Sequence, residues 1–258
     1  MWIERNPKVL TKSGTSPKTF ISAPFGNYIK PKGTIPVTGT FTLNPRGNRL
    51  WSVLSSLRYS FKSNGGWTNK LGLPNPGIEK GLHRHFTAGG EVLSIAEIQK
   101  GDFNKLVEII PERTDIELNL SCPNLAKRLP WDSARVFTQT NDCRKWCIAK
   151  LSPLTTPEEL EFVIEELGFE QLHFSNTLPT PAGGLSGPTL KPYTLELIDI
   201  VRERWGERVE IIAGGGVRDF GAVIDYLSAG ANHVSLGSVC FNPFKLRKLL
   251  KSLELKNV

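Results

Sequence analysis

The chain has 258 residues, with 32 Lys and Arg against 25 Asp and Glu and a net charge of +7. That length suits one large domain or two small ones, close to the roughly 250 residues of a (β/α)8 barrel. Six Trp, thirteen Phe and 39% apolar residues exclude a disordered chain, and no apolar run approaches the about 20 residues that span a bilayer.

Residues 1–18 are polar, basic and without periodicity, and read as an N-terminal arm ahead of one domain, 19–258. Strands are predicted at 19–23 and 35–38, only about ten residues apart, which leaves the first β/α unit short. Residues 44–70 read as a long loop with small hairpins, and His83 and His85 as exposed loop residues. A strand at 91–96, a helix at 102–110, a strand at 115–120, a loop at 121–135 and a strand at 146–151 follow. Thr156-Pro-Glu-Glu opens a helix, with Pro just inside a Thr cap, that runs to about Leu167. Then come a strand at 170–175, a Gly/Pro-rich loop at 178–188, a helix at 193–205 and a strand at 209–213. A helix at 219–229 stopped by Gly230, a strand at 232–236 and a helix at 243–253 complete the chain. Eight strand candidates alternating with helices predict an α/β fold, a closed (β/α)8 TIM barrel.

In such a barrel the chemistry sits at the C-terminal ends of the strands. Gly214-Gly-Gly216 and Leu236-Gly-Ser238 end the last two strands, where glycines admit an oxyanion to the backbone, so they are candidates for a phosphate. Cys122, bracketed by Asn119 and Asn124, is a candidate general base, since a thiolate accepts protons where its environment suits. Cys143, Cys147 and Cys240 lack such company and read as structural. Without any C-x-x-C pair, the four cysteines suggest a reducing, cytoplasmic setting. Lys150 ends an apolar strand and needs an anionic partner, such as the N1/O2 edge of a reduced flavin. Asn69 and Asn176 lie in loops able to read the edges of a small heterocycle. His173 and His233 read as barrel-wall residues, and no spacing of Cys, His and acids suggests a metal. The net charge of +7 is a mild excess that could attract an anionic ligand or nucleic acid, but it reads first as a solubility feature, so nucleic acid is an unlikely partner.

Glu117-Leu-Asn-Leu-Ser-Cys-Pro-Asn124 resembles the signature of dihydroorotate dehydrogenases, as does Asn69-Lys-Leu-Gly-Leu-Pro-Asn-Pro-Gly77. Gly183 to Pro192 is similar to the family's loop after strand six, Ile211 to Ser238 to its FMN-phosphate segment, and Thr38-Gly-Thr-Phe-Thr42 with Arg46-Gly-Asn48 matches more loosely. The resemblance implies an FMN enzyme that oxidises dihydroorotate to orotate in pyrimidine biosynthesis. It implies Cys122 as the base for the C5 proton. It assigns Asn69, Leu71, Gly72, Leu73, Asn119, Asn124, Asn176 and Thr177 to the substrate. It assigns Ala23, Thr40, Asn119, Lys150, Ser175, Gly187, Gly215, Gly216, Gly237 and Ser238 to the flavin. A cysteine base resembles the soluble branch, whose members are often dimers, so a homodimer is the assembly to expect. The electron acceptor stays open between fumarate, a partner subunit passing electrons to NAD, and a quinone.

One departure stands out: Gly39 occupies the strand-two position where the soluble branch has a lysine, and Lys30 is nearby but offset. It motivates a second reading, a flavin protein with altered or lost turnover. A third, an enzyme resembling tRNA-dihydrouridine synthases, lacks that family's C-terminal helical domain.

Overall fold

A computed structural model describes residues 16–47, 57–60, 66–70, 72–120, 131–139 and 143–255. Cys122, Asn124, Leu71 and nearly all of the expected arm lie outside them. Eight parallel strands close into a barrel: β1 (Thr19–Ile21), β2 (Thr34–Phe41), β5 (Val92–Ile95), β6 (Ile116–Asn119), β7 (Cys147–Lys150), β8 (Gln171–Phe174), β11 (Glu210–Ala213) and β12 (His233–Leu236). The expected barrel is therefore present, and the first crossover is short: a single 3-10 turn, Phe25–Asn27, joins β1 to β2.

Successive strand residues face opposite sides, so each strand feeds two cores. Phe20, Ile35, Val37, Val92, Trp146, Ile148 and Ile212 pack together in the barrel interior. Their neighbours Ile21, Leu93, Ala149, Ile211 and Ala213 join the larger core between strands and helices. Local signals act as their chemistry demands. Thr156 and Glu159 form a reciprocal capping box at the helix Pro157–Glu161, which continues as a π-helical turn to Glu166. The Asp219 side chain accepts from the Ala222 N–H at 3.0 Å, and Gly230 closes that helix in a left-handed conformation.

Two segments differ from the sequence reading. Residues 178–188 are not a plain loop. β9 (Leu178–Thr180) and β10 (Gly183–Ser186) form a hairpin, and β10 pairs antiparallel with β4 (Gly66–Asn69), itself paired with β3 (Arg58–Ser60). This four-stranded sheet joins the segments after β2 and β8. Residues Ile78–Thr87 form a helix, α1, rather than a loop. Its buried residues are Ile78, Gly81 and His85. Two of these three are not apolar, which hides the helical stripe. A Cβ at Gly81 would stand 2.6 Å from the Phe41 ring, so only glycine lets the helix approach β2. His83 is exposed as expected. His85 is buried, with Nδ1 2.7 Å from Thr38 Oγ1. Burial, then the charge of Lys30, lowers its pKa to about 4. Of the cysteines read as structural, Cys147 and Cys240 are buried, but Cys143 is exposed.

Candidate active site

A cavity of about 350 Å³ opens at the C-terminal end of the barrel, within the size range of small-molecule sites. Its wall is built from segments that follow β1, β8, β11 and β12, from β4 and β10, and from Lys150 at the end of β7. Ala23, Lys150, Ser175, Gly187, Gly215, Gly216, Gly237 and Ser238, expected at the flavin, all line it. So do Asn69, Asn176 and Thr177, expected at the substrate. Asn119 and Thr40 lie beside this wall: Asn176 Nδ2 donates to Asn119 Oδ1 at 2.8 Å, and Asn119 Nδ2 to Thr40 Oγ1 at 3.4 Å. Gly72 and Leu73 are in the turn ahead of α1 and do not line it. Asn75 anchors that turn, its Oδ1 accepting from the Thr42 and Gly77 N–H groups at 3.1 and 2.9 Å.

The glycines shape the wall in different ways. Gly216 has φ +78, and a Cβ there would meet Pro188 Cα at 2.7 Å. The loop after β11 thus packs against the turn at Gly187 and Pro188 with no room for a side chain. At Gly237 a Cβ would meet nothing nearer than Ser22 Oγ at 3.9 Å, so the space it leaves belongs to the cavity. Ser175 is fixed by Thr194, 3.1 Å away, whose hydroxyl donates to the Gly214 carbonyl at 3.0 Å. One side of the mouth is aromatic: Phe241 stands edge-on to Phe25 at 4.9 Å and tilted against Trp67 at 4.5 Å. Such a wall suits a flat ring. The sequence reading did not single out Phe25, Trp67 or Phe241, because no local pattern brings three distant aromatics together.

Lys150 is the charged side chain of this wall among the described residues. Beneath it the barrel interior turns polar. Glu117 has no solvent exposure and lies 3.5 Å from Lys150 Nζ. The oxygen facing Lys150, Oε1, also accepts from Ser94 Oγ at 3.0 Å, and the other, Oε2, accepts from His173 Nδ1 at 2.6 Å. Burial pushes the Glu117 pKa up, but the charges of Lys150 and His173 and the hydrogen bonds from His173 and Ser94 outweigh it and bring it to about 2. His173 is lowered, by burial first and then by Lys150, against the opposing pull of Glu117.

Lys30 does not stand in for the absent lysine. Its ammonium donates to the carbonyl of Ala88, at the end of α1 and ahead of β5, so it sits at the N-terminal end of the barrel, opposite the cavity.

A family model for dihydroorotate dehydrogenase matches residues 37–256. The chain belongs to the dihydroorotate dehydrogenase family. Among similar members is the dihydroorotate dehydrogenase B (NAD(+)) catalytic subunit of Endomicrobium trichonymphae, 31% identical over 97% of this chain and 88% of its own length. The subunit of the same name from Petrotoga mobilis is 31% identical over 74% of this chain and 73% of its own. The crystal structure of DHODH from Eimeria tenella in complex with ferulenol aligns with a TM-score of 0.75 over 92% of this chain and 81% of that one. At 19% identity that likeness bears on the fold. Among the described residues no helix is long and apolar enough to cross a membrane.

Proposed function

We propose that the chain oxidises dihydroorotate to orotate, a step of pyrimidine biosynthesis, with FMN held in the cavity. The observation that carries this reading is the convergence of the glycine loops after β11 and β12, Lys150, and the Asn119–Asn176 pair on one cavity. Its residues fit the group. Gly237 leaves open the volume that a Cβ would take, the backbone at Gly215, Gly216 and Ser238 suits a phosphate, and the aromatic mouth suits a flat ring. When bound, FMN supplies the acceptor for the hydride that leaves substrate C6.

The remaining chemistry belongs to the chain. Cys122, two residues beyond Leu120 in sequence, takes the proton from C5 as general base. Asn69, Asn119, Asn124, Asn176 and Thr177 hold the carboxylate and the amide edges of the ring, offering donors and acceptors without charge. Lys150 faces the negative charge that reduction creates, where a preorganised cation in a site shielded from water acts most strongly. The substrate is a small molecule.

Anaerobic mixing of the FMN-loaded protein with dihydroorotate tests the reading. Loss of the visible flavin band within seconds is the expected result. A flavin band that persists would reject dihydroorotate as substrate, and a protein that takes up no FMN would reject the cofactor as well.

A further inference from the structure

Glu117 has no solvent exposure, yet it lies on the interior of the barrel, which elsewhere is filled by Val37, Val92, Ile148 and Ile212. Apolar side chains in place of the whole group, Glu117 with Lys150 and His173, would serve the fold as well, since replacing a complete buried ion pair by packed hydrophobic groups is often neutral or stabilising. Stability therefore does not explain the carboxylate. Its partners come from the strands on both sides of β6: Ser94 on β5, Lys150 on β7 and His173 on β8. Of these three, Lys150 alone lines the cavity. Across β6 and β7, Glu117 pairs with Ile148 while Lys150 pairs with Asn119, so the carboxylate lies one layer deeper than the ammonium it faces.

We propose that Glu117 is a positioning residue: it holds the Lys150 ammonium on the cavity floor, and His173 and Ser94 hold Glu117. A lysine is a point charge on a flexible four-carbon stem, and without a fixed counter-ion it has many places to go. The hydrogen bonds from His173 and Ser94 fix the two carboxylate oxygens in different directions, so the carboxylate cannot rotate to follow a wandering ammonium. Lys150 is thereby in place before a partner on the cavity side becomes anionic, and little reorganisation is needed when it does.

Two readouts on the full chain test this. The first needs no cofactor. Competitive acetylation with acetic anhydride, read by peptide mass spectrometry, should find Lys150 roughly tenfold more reactive in Glu117→Gln than in the wild type, the scale of one lost charge-assisted contact. Lys191, paired at the surface with Asp225, should react equally in both and serves as the internal standard. Unchanged Lys150 reactivity would overturn the proposal. The second readout rests on the flavin reading above. Glu117→Gln should weaken binding of reduced FMN relative to oxidised FMN by about tenfold, Lys150→Met should do the same, and the double variant should lose no more than Lys150→Met alone. Additive losses, or tighter binding of the reduced form as removal of a nearby negative charge would produce, would overturn it. Should Glu117→Gln fail to fold, Ser94→Ala removes one support and should shift both readouts the same way by a smaller factor, while no shift would count against the proposal. A wild type that binds no FMN would sink the flavin reading and leave the acetylation result to decide.

Discussion

The side chain of Asn27 grips both polar atoms of Gly39: Nδ2 donates to its carbonyl at 2.8 Å, and Oδ1 accepts from its N–H at 3.1 Å. Gly39 has φ +114, and a Cβ there would stand 2.3 Å from the Ser94 carbonyl oxygen. The lysine that the family resemblance leads one to expect at this point therefore has no room on this backbone. Gly39→Lys should cost about 2–4 kcal/mol, large for a single substitution, and should not raise turnover. Urea denaturation reads the cost, and a wild-type midpoint would refute the steric argument.

His85 gives a pH prediction whose sign is fixed. Folded, it releases its proton near pH 4; unfolded, near 6.5. Between these values the unfolded chain holds more protons, so stability rises with pH. The contribution is complete above about 6.5 and is lost as pH falls toward 4, about 3 kcal/mol in all at ~1.4 per unit. Glu117, lowered from 4.5 to about 2, has the same sign in a more acidic window. Unfolding free energies measured from pH 7 to 4 should flatten in His85→Gln. An equal slope in wild type and variant would show that His85 is not the group responsible.

Cys122 is open to a kinetic test. Cys122→Ala should keep its FMN yet slow flavin reduction by dihydroorotate by at least ~10²-fold, the low end for loss of a general base. Stopped-flow absorbance decides this. An unchanged rate would take the base role away from Cys122.

Two glycines of the cavity wall should separate stability from binding. Gly216→Ala places a Cβ 2.7 Å from Pro188 Cα at φ +78, and should cost about 1–3 kcal/mol of stability. Gly237→Val meets open space, so its cost should appear in FMN affinity, roughly tenfold or more for steric exclusion in a packed site. Melting curves and fluorescence titration on both variants check the contrast, which fails if the two lose stability alike.

The barrel was legible because its strands and helices alternate with strong apolar patterns, and the phosphate-side glycines because they follow strands directly. α1 was not legible: its buried face is Ile78, Gly81 and His85, and a stripe containing glycine and histidine looks like a loop. Glu117 could be read as part of a motif but not as a buried charge. A parallel strand is covered on both faces, so nothing in Ile-Glu-Leu-Asn says which side faces the interior. The aromatic contact of Phe241 with Trp67 depends on closure of the whole fold and has no local trace.

The small sheet over the mouth adds an order of events. Gly184 pairs with Asn69 and Ser186 with Trp67, partners separated by more than a hundred positions in the chain. Such distant pairing bears a large loop-closure cost unless intervening structure already brings the ends together. Barrel strands β5 to β8 lie between them, so the roof gains most of its stability after those strands have assembled. A nascent or partly opened chain is thus roofless, and the cavity has its full wall only once the barrel is complete. Loading of a ligand and quality of folding are in this way read by the same few hydrogen bonds.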